Sequence, residues 1–98
     1  MAAEPSAQDR ALTLLRERHE FPGPFLFRVV ILPRARAAVL DAVDAVLGSA
    51  ESVTDVGERA SRHGTYLALH VSTSVERADT VLEVYAALRA VDGVRTVM

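Results

Sequence analysis

The chain has 98 residues, 50% of them hydrophobic and 24% charged, which suits one domain with one core and is too short for two. Eleven basic residues, all of them Arg, stand against thirteen acidic ones, and the formal net charge of -2 offers no global attraction to nucleic acid or to an anionic membrane. The absence of cysteine excludes disulfides, thiolate metal sites and Cys nucleophiles, and no apolar run reaches the roughly 20 residues of a membrane span.

The opening "MAAEPSAQDR" has no basic region leading into an apolar stretch and does not read as a secretory signal, so a cytoplasmic location is expected. Residues 1–20 are expected to be a flexible tail carrying a short helix. Asp9 is placed to cap it, and Leu12, Leu14 and Leu15 form an incomplete apolar stripe. "FPGP" at 21–24 ends any helix, because Pro22 and Pro24 lack N–H donors and restrict the residues before them; the Phe21–Pro22 bond is a candidate for cis. A domain over 21–98 follows. Residues 25–32, "FLFRVVIL", predict a strand. Pro33 suits the first turn of a helix over 34–47 whose apolar face is Val39, Leu40, Val43, Val46 and Leu47, with Gly48 as its C-terminal stop. Residues 52–59 predict a more polar strand, 60–64 a hairpin connection, and 65–73, "TYLALHVST", a cleanly alternating strand. Ser74 is the expected N-cap of a helix over 75–91, "DG" at 92–93 ends it, and "VRTVM" predicts a last strand.

The order β-α-β-β-α-β with right-handed crossovers implies an α+β fold, the ferredoxin-like two-layer sandwich with an antiparallel sheet in the order 4-1-3-2. Both crossover helices cover one side of such a sheet. In the first strand Phe25, Phe27, Val29 and Ile31 are expected to face them, and in the third Leu67, Leu69 and Val71. In the last strand Val94, Thr96 and Met98 are expected inward. The bare face is then expected to show Leu26, Val30, Tyr66, Ala68 and Val97 around Arg28, His70 and Arg95. Exposed apolar groups on one face call for a cover. A second copy is the expected one, giving a dimer or larger homo-oligomer.

Three stretches carry a family resemblance: Phe21, Pro22, Pro24 and Phe25; Ser61, Gly64 and Tyr66; and Val94, Arg95 and Val97. With them the chain resembles the YbeD-like small uncharacterised proteins (domain of unknown function 493). The resemblance implies a ferredoxin-like fold similar to that of ACT domains, the regulatory modules that bind amino acids at paired interfaces. It implies a regulatory or protein-interaction role and no catalytic one. ACT ligand sites commonly use a glycine in the turn after the first strand, where this chain has Leu32, Pro33 and Arg34.

No residue pattern amounts to a catalytic signature, and no cofactor is expected. His19, His63 and His70 lack metal-ligand spacing, and "HGTY" is not a nucleophile elbow. Asp41 and Asp44 fall on the wet side of their helix. Arg28, His70 and Arg95 together could hold a carboxylate or phosphate, so a protein partner or a small anionic ligand is conceivable chemistry for the open face. The same strand order also builds RNA-binding domains. Those display two or three stacking aromatics, whereas Tyr66 is the one outward aromatic here, and the net negative charge argues the same way.

Overall fold

A computed structural model describes residue 4 and residues 6–98. The expected β-α-β-β-α-β order is present, preceded by one further helix. That helix, α1 (Ala7–Arg18), is capped by Ser6 and not by Asp9. The Asp9 N–H donates to Ser6 Oγ at 3.1 Å and the Ser6 N–H donates to Asp9 Oδ2 at 3.3 Å. The reciprocal pair satisfies two backbone donors where Asp9 as cap would satisfy one. Leu12 is the buried residue of α1, Leu15 packs on the core, and Arg16 pairs with Asp79 at 3.2 Å in an exposed bridge.

Strand β1 (Gly23–Ile31) follows a cis Phe21–Pro22 bond. A 3-10 turn at Pro33–Ala35 leads into α2 (Arg36–Leu47), and Gly48 closes that helix in the left-handed region with φ 76°. A second 3-10 turn, Ala50–Ser52, leads into β2 (Val53–Ala60). Then come β3 (Leu67–Val75), α3 (Ala78–Arg89) and β4 (Val94–Val97). The strand previously expected to stop at 73 runs to 75, because Ser74 and Val75 still pair with Pro24 and Gly23 of β1. Ser74 is therefore a strand residue. Arg77 occupies the N-cap of α3 and makes no capping side-chain bond.

The sheet order β2-β3-β1-β4 is the expected ferredoxin-like order counted from the other edge, and all three pairings are antiparallel. Strand alternation builds the core. Phe25, Phe27, Val29 and Ile31 of β1 meet Leu69, Val71 and Val75 of β3 beneath Val39 and Val43 of α2 and Val81, Val84 and Leu88 of α3. Phe27 lies between Phe25 and Tyr85, with ring centroids 4.8 and 5.5 Å away. The one buried polar side chain among the described residues, Thr73, donates its hydroxyl to the Phe25 carbonyl at 2.7 Å.

One irregularity decides which residues of β4 face which way. Val30 pairs with Thr96 but Ile31 pairs with Val94, so Arg95 is an extra residue in the ladder, a β-bulge. Beyond it the alternation is reversed relative to the expectation. Val97 sits opposite Val29 and packs on the core. Met98 exchanges backbone bonds with Arg28 (3.2 and 2.8 Å) and shares that residue's side of the sheet.

Candidate functional site

The face of the sheet away from the helices is the candidate site. Its rows are set by cross-strand pairing. Leu26, Arg28 and Val30 of β1 stand opposite Ser72, His70 and Ala68 of β3. Those three stand opposite Asp55, Gly57 and Arg59 of β2. On the other side Met98 and Thr96 flank Arg28 and Val30. Leu26 is 39% exposed and Met98 60% exposed, while the alternating residues of β1 are buried.

Of the residues expected here, Leu26, Arg28, Val30 and His70 are brought together. Tyr66 stands at the hairpin end, one residue before β3, and is 41% exposed. Arg95 is the bulge residue and is exposed. Val97 is on the opposite face, for the reason given above, and Met98 takes its place. Gly57, Arg59 and Thr96 complete the surface and were not foreseen. Extending the β3 alternation across to β2 would have found the first two, whereas nothing in "VRTVM" signals the bulge.

The charges of this face are unbalanced. Three arginines elsewhere have carboxylate partners: Arg16 with Asp79, Arg34 with Asp92 and Arg36 with Glu58. Among the described residues no ion pair involves Arg28, Arg59, Arg95 or His70. Asp55 is the one acid in the rows above. Beside His70 the missing side chain of Gly57 leaves a recess of about 230 Å³, lined by Gly57, Glu58, Arg59, Ala68 and His70. A Cβ built on Gly57 lies 3.8 Å from His70 Cβ, an ordinary contact, and Gly57 has no positive φ. Gly57→Ala therefore raises stability by about 0.5–1 kcal/mol, the usual gain when a strand glycine acquires a side chain without strain. Urea denaturation measures it, and a lower midpoint would show that the recess is needed for folding.

His19 lies against Phe25, with ring centroids 4.8 Å apart, and His63 sits in the β2–β3 connection, so neither joins His70. Among the described residues no group of three or more His, Cys, Asp or Glu side chains is placed to hold a metal ion. A second concavity of about 280 Å³ runs between α1 and α3, lined by Leu14, Leu15, Leu82 and Tyr85 among others. Burial pushes the Tyr85 phenol above its usual value of 10, and Arg89, 5.7 Å from the ring centre, opposes the shift. The neutral phenol is thus favoured in the folded state. Its contribution to stability is complete below pH 10 and is lost as pH rises through the higher folded value. Ultraviolet titration should show a phenol ionising above pH 10 that is absent from Tyr85→Phe; persistence of that phase in the variant would contradict this.

The three stretches that carry the family resemblance each prove to be a local device. Ser61 Oγ accepts the Tyr66 N–H at 2.9 Å and the Ser61 carbonyl accepts the Gly64 N–H at 2.9 Å, with Gly64 at φ 73°, so these residues close the hairpin. Phe21 stacks on Phe25 at 6.4 Å, while Gly23 passes so near the Glu20 carbonyl that a Cβ would lie 2.5 Å from its oxygen. Val94 and Val97 flank the bulge. Comparison with known proteins agrees. A family model described as "Protein of unknown function (DUF493)" matches residues 16–98, from within α1 through β4. No curated protein matches the chain. Among the described residues no helix is long and apolar enough to cross a membrane.

Proposed function

The chain belongs to the DUF493 family, whose function is unknown, and from this starting point we propose that it is a non-catalytic binding module acting through the open face of its sheet. The observation that carries this is the contrast between the two sides of β1. Phe25, Phe27, Val29 and Ile31 are buried, yet Leu26 and Val30 on the other side, with Met98 beside them, meet solvent around Arg28. A sheet face left with apolar side chains in water gains free energy when a partner covers it.

The turn after β1, where ACT domains place their ligand, supports protein interaction over small-ligand sensing. The Leu32 N–H donates to the Gly93 carbonyl at 2.8 Å, Pro33 has no N–H, and the Ala35 N–H donates to the Leu32 carbonyl at 2.9 Å. Most amides of that turn are thus already engaged or absent. On the two central strands the open face carries no Phe, Tyr or Trp, which leaves bases little to stack on.

Site-specific photo-crosslinking tests the proposal. A benzophenone amino acid at Ser72, on the open face, should form adducts in native extract, and the same group at Glu83, on the exposed side of α3, should not. Adducts at Glu83 alone would place the working surface on the helix layer and overturn the proposal.

A further inference from the structure

Resting on the open face as the binding surface, we propose that its partner is an acidic amphipathic helix of another protein, whose apolar stripe covers Leu26, Val30, Ala68 and Met98 and whose flanking carboxylates meet Arg28, Arg59 and His70. Charge is the first argument. With histidine counted as neutral, the chain as a whole has two more acidic than basic groups, yet the rows of this face hold two arginines against Asp55 alone. The other acids lie off these rows, and three of them are paired: Asp79 with Arg16, Asp92 with Arg34, and Glu58, at the rim of the recess, with Arg36. A face whose sign opposes that of its own chain is complementary to an acidic partner and discourages a second copy. Two such faces set together would bring Arg28 and Arg59 of one toward those of the other with only the Asp55 of each to offset them.

Backbone chemistry supplies the second argument. The N–H and C=O groups of a sheet point along it toward neighbouring strands and not out of its face. Here they join β1 to β3, β3 to β2 and, from Arg28 to Ile31, β1 to β4, so a chain laid on the face meets side chains and no backbone groups. An extended peptide laid across it would bury its own N–H and C=O groups without partners. A helix satisfies them internally and needs only side-chain contacts. The recess left by Gly57 beside His70 accepts one apolar side chain of the stripe.

The test is a titration of the isotope-labelled full chain, followed by its backbone amide resonances. The probes are a designed helical peptide of about five turns with a leucine stripe flanked by glutamates, its isomer with lysine replacing every glutamate, and oligouridine. The glutamate peptide should shift the amides of Arg28, Val30, Ala68 and His70 and saturate at a concentration at least about tenfold lower than the lysine isomer. Added salt should narrow that gap. Arg28→Ser with Arg59→Ser should remove most of the preference. Gly57→Val, which keeps the fold by the spectrum of its core residues, should weaken binding by filling the recess.

Equal binding of the lysine isomer, or tighter binding of oligouridine at the same amides, overturns the acidic-helix proposal and leaves the open face as the binding surface. Shifts of the same amides on raising the protein concentration alone do likewise, in favour of a second copy. If no probe shifts them while Ser72 still forms crosslinks, the partner proposed here is wrong and the surface right. If both fail, both proposals fall.

Discussion

Truncation of Phe27 to Ala lowers folding stability by about 3–5 kcal/mol, the range for removing a large aromatic ring from a closed core. Phe27 is 0% exposed, and its ring is enclosed by Phe25, Tyr85 and the buried valines of both layers. The loss has two parts. The transfer free energy of the ring disappears, and the surrounding strand and helix residues collapse only partly into the gap. A domain of this size is stable by only about 5–15 kcal/mol, so the variant should stand near the edge of unfolding at room temperature. Denaturant titration measures the change. Arg28→Ala, one residue along on the exposed side, is the control and should change stability by less than about 0.5 kcal/mol. Similar losses for the two would mean that the two sides of β1 are not as different as their burial indicates.

Gly93→Ala should cost about 2–4 kcal/mol, more than the same change at Gly48 or Gly64. All three glycines have positive φ, at 96°, 76° and 73°, so each substitution carries the conformational penalty of about 1–3 kcal/mol. At Gly48 and Gly64 nothing lies within 4 Å of the added Cβ. At Gly93 the Cβ would meet Ala35 Cβ at 2.9 Å and Leu32 Cβ at 3.7 Å. That steric part adds the cost of overpacking, because Gly93 is wedged where the end of α3, the start of β4 and the turn after β1 converge. A double-variant cycle separates the parts. In an Ala35→Gly background the cost of Gly93→Ala should shrink by the steric share and keep the conformational one. A cost equal to that of Gly48→Ala in the unchanged background would show that the turn yields freely.

The layered fold was legible because burial in a strand has a period of two. Phe25, Phe27, Val29 and Ile31 could face only one way once Arg28 was set facing the other, and the helix stripes of Val39 with Val43 and Val81 with Val84 supplied the covering layer. What was not legible depended on pairing between distant segments. Ser74 has the chemistry of a helix cap and would serve as one in isolation. Its pairing with Pro24 keeps it in the sheet, and the helix starts later without a side-chain cap. Asp9 likewise looked like a cap until Ser6, three residues before it, offered the reciprocal arrangement. For the open face, the outward residues of the two central strands follow from their own alternation, except Tyr66, which stands one residue before β3. The contribution of β2 required the β2–β3 register, and that of β4 required a bulge, which is a property of two backbones and has no mark in either sequence.

That bulge at Arg95 determines how adaptable the open face is. Had β4 run without it, the outward position beside Arg28 would hold valine, a stiff side chain whose single torsion is restricted by its branched Cβ. The extra residue sends Val97 into the core, where stiffness favours a single packing, and sends Met98 to the surface, where its thioether chain can reshape. The rigid member of the pair thereby packs on the core, and the pliable one is left on the open face, where its side chain is free to change shape.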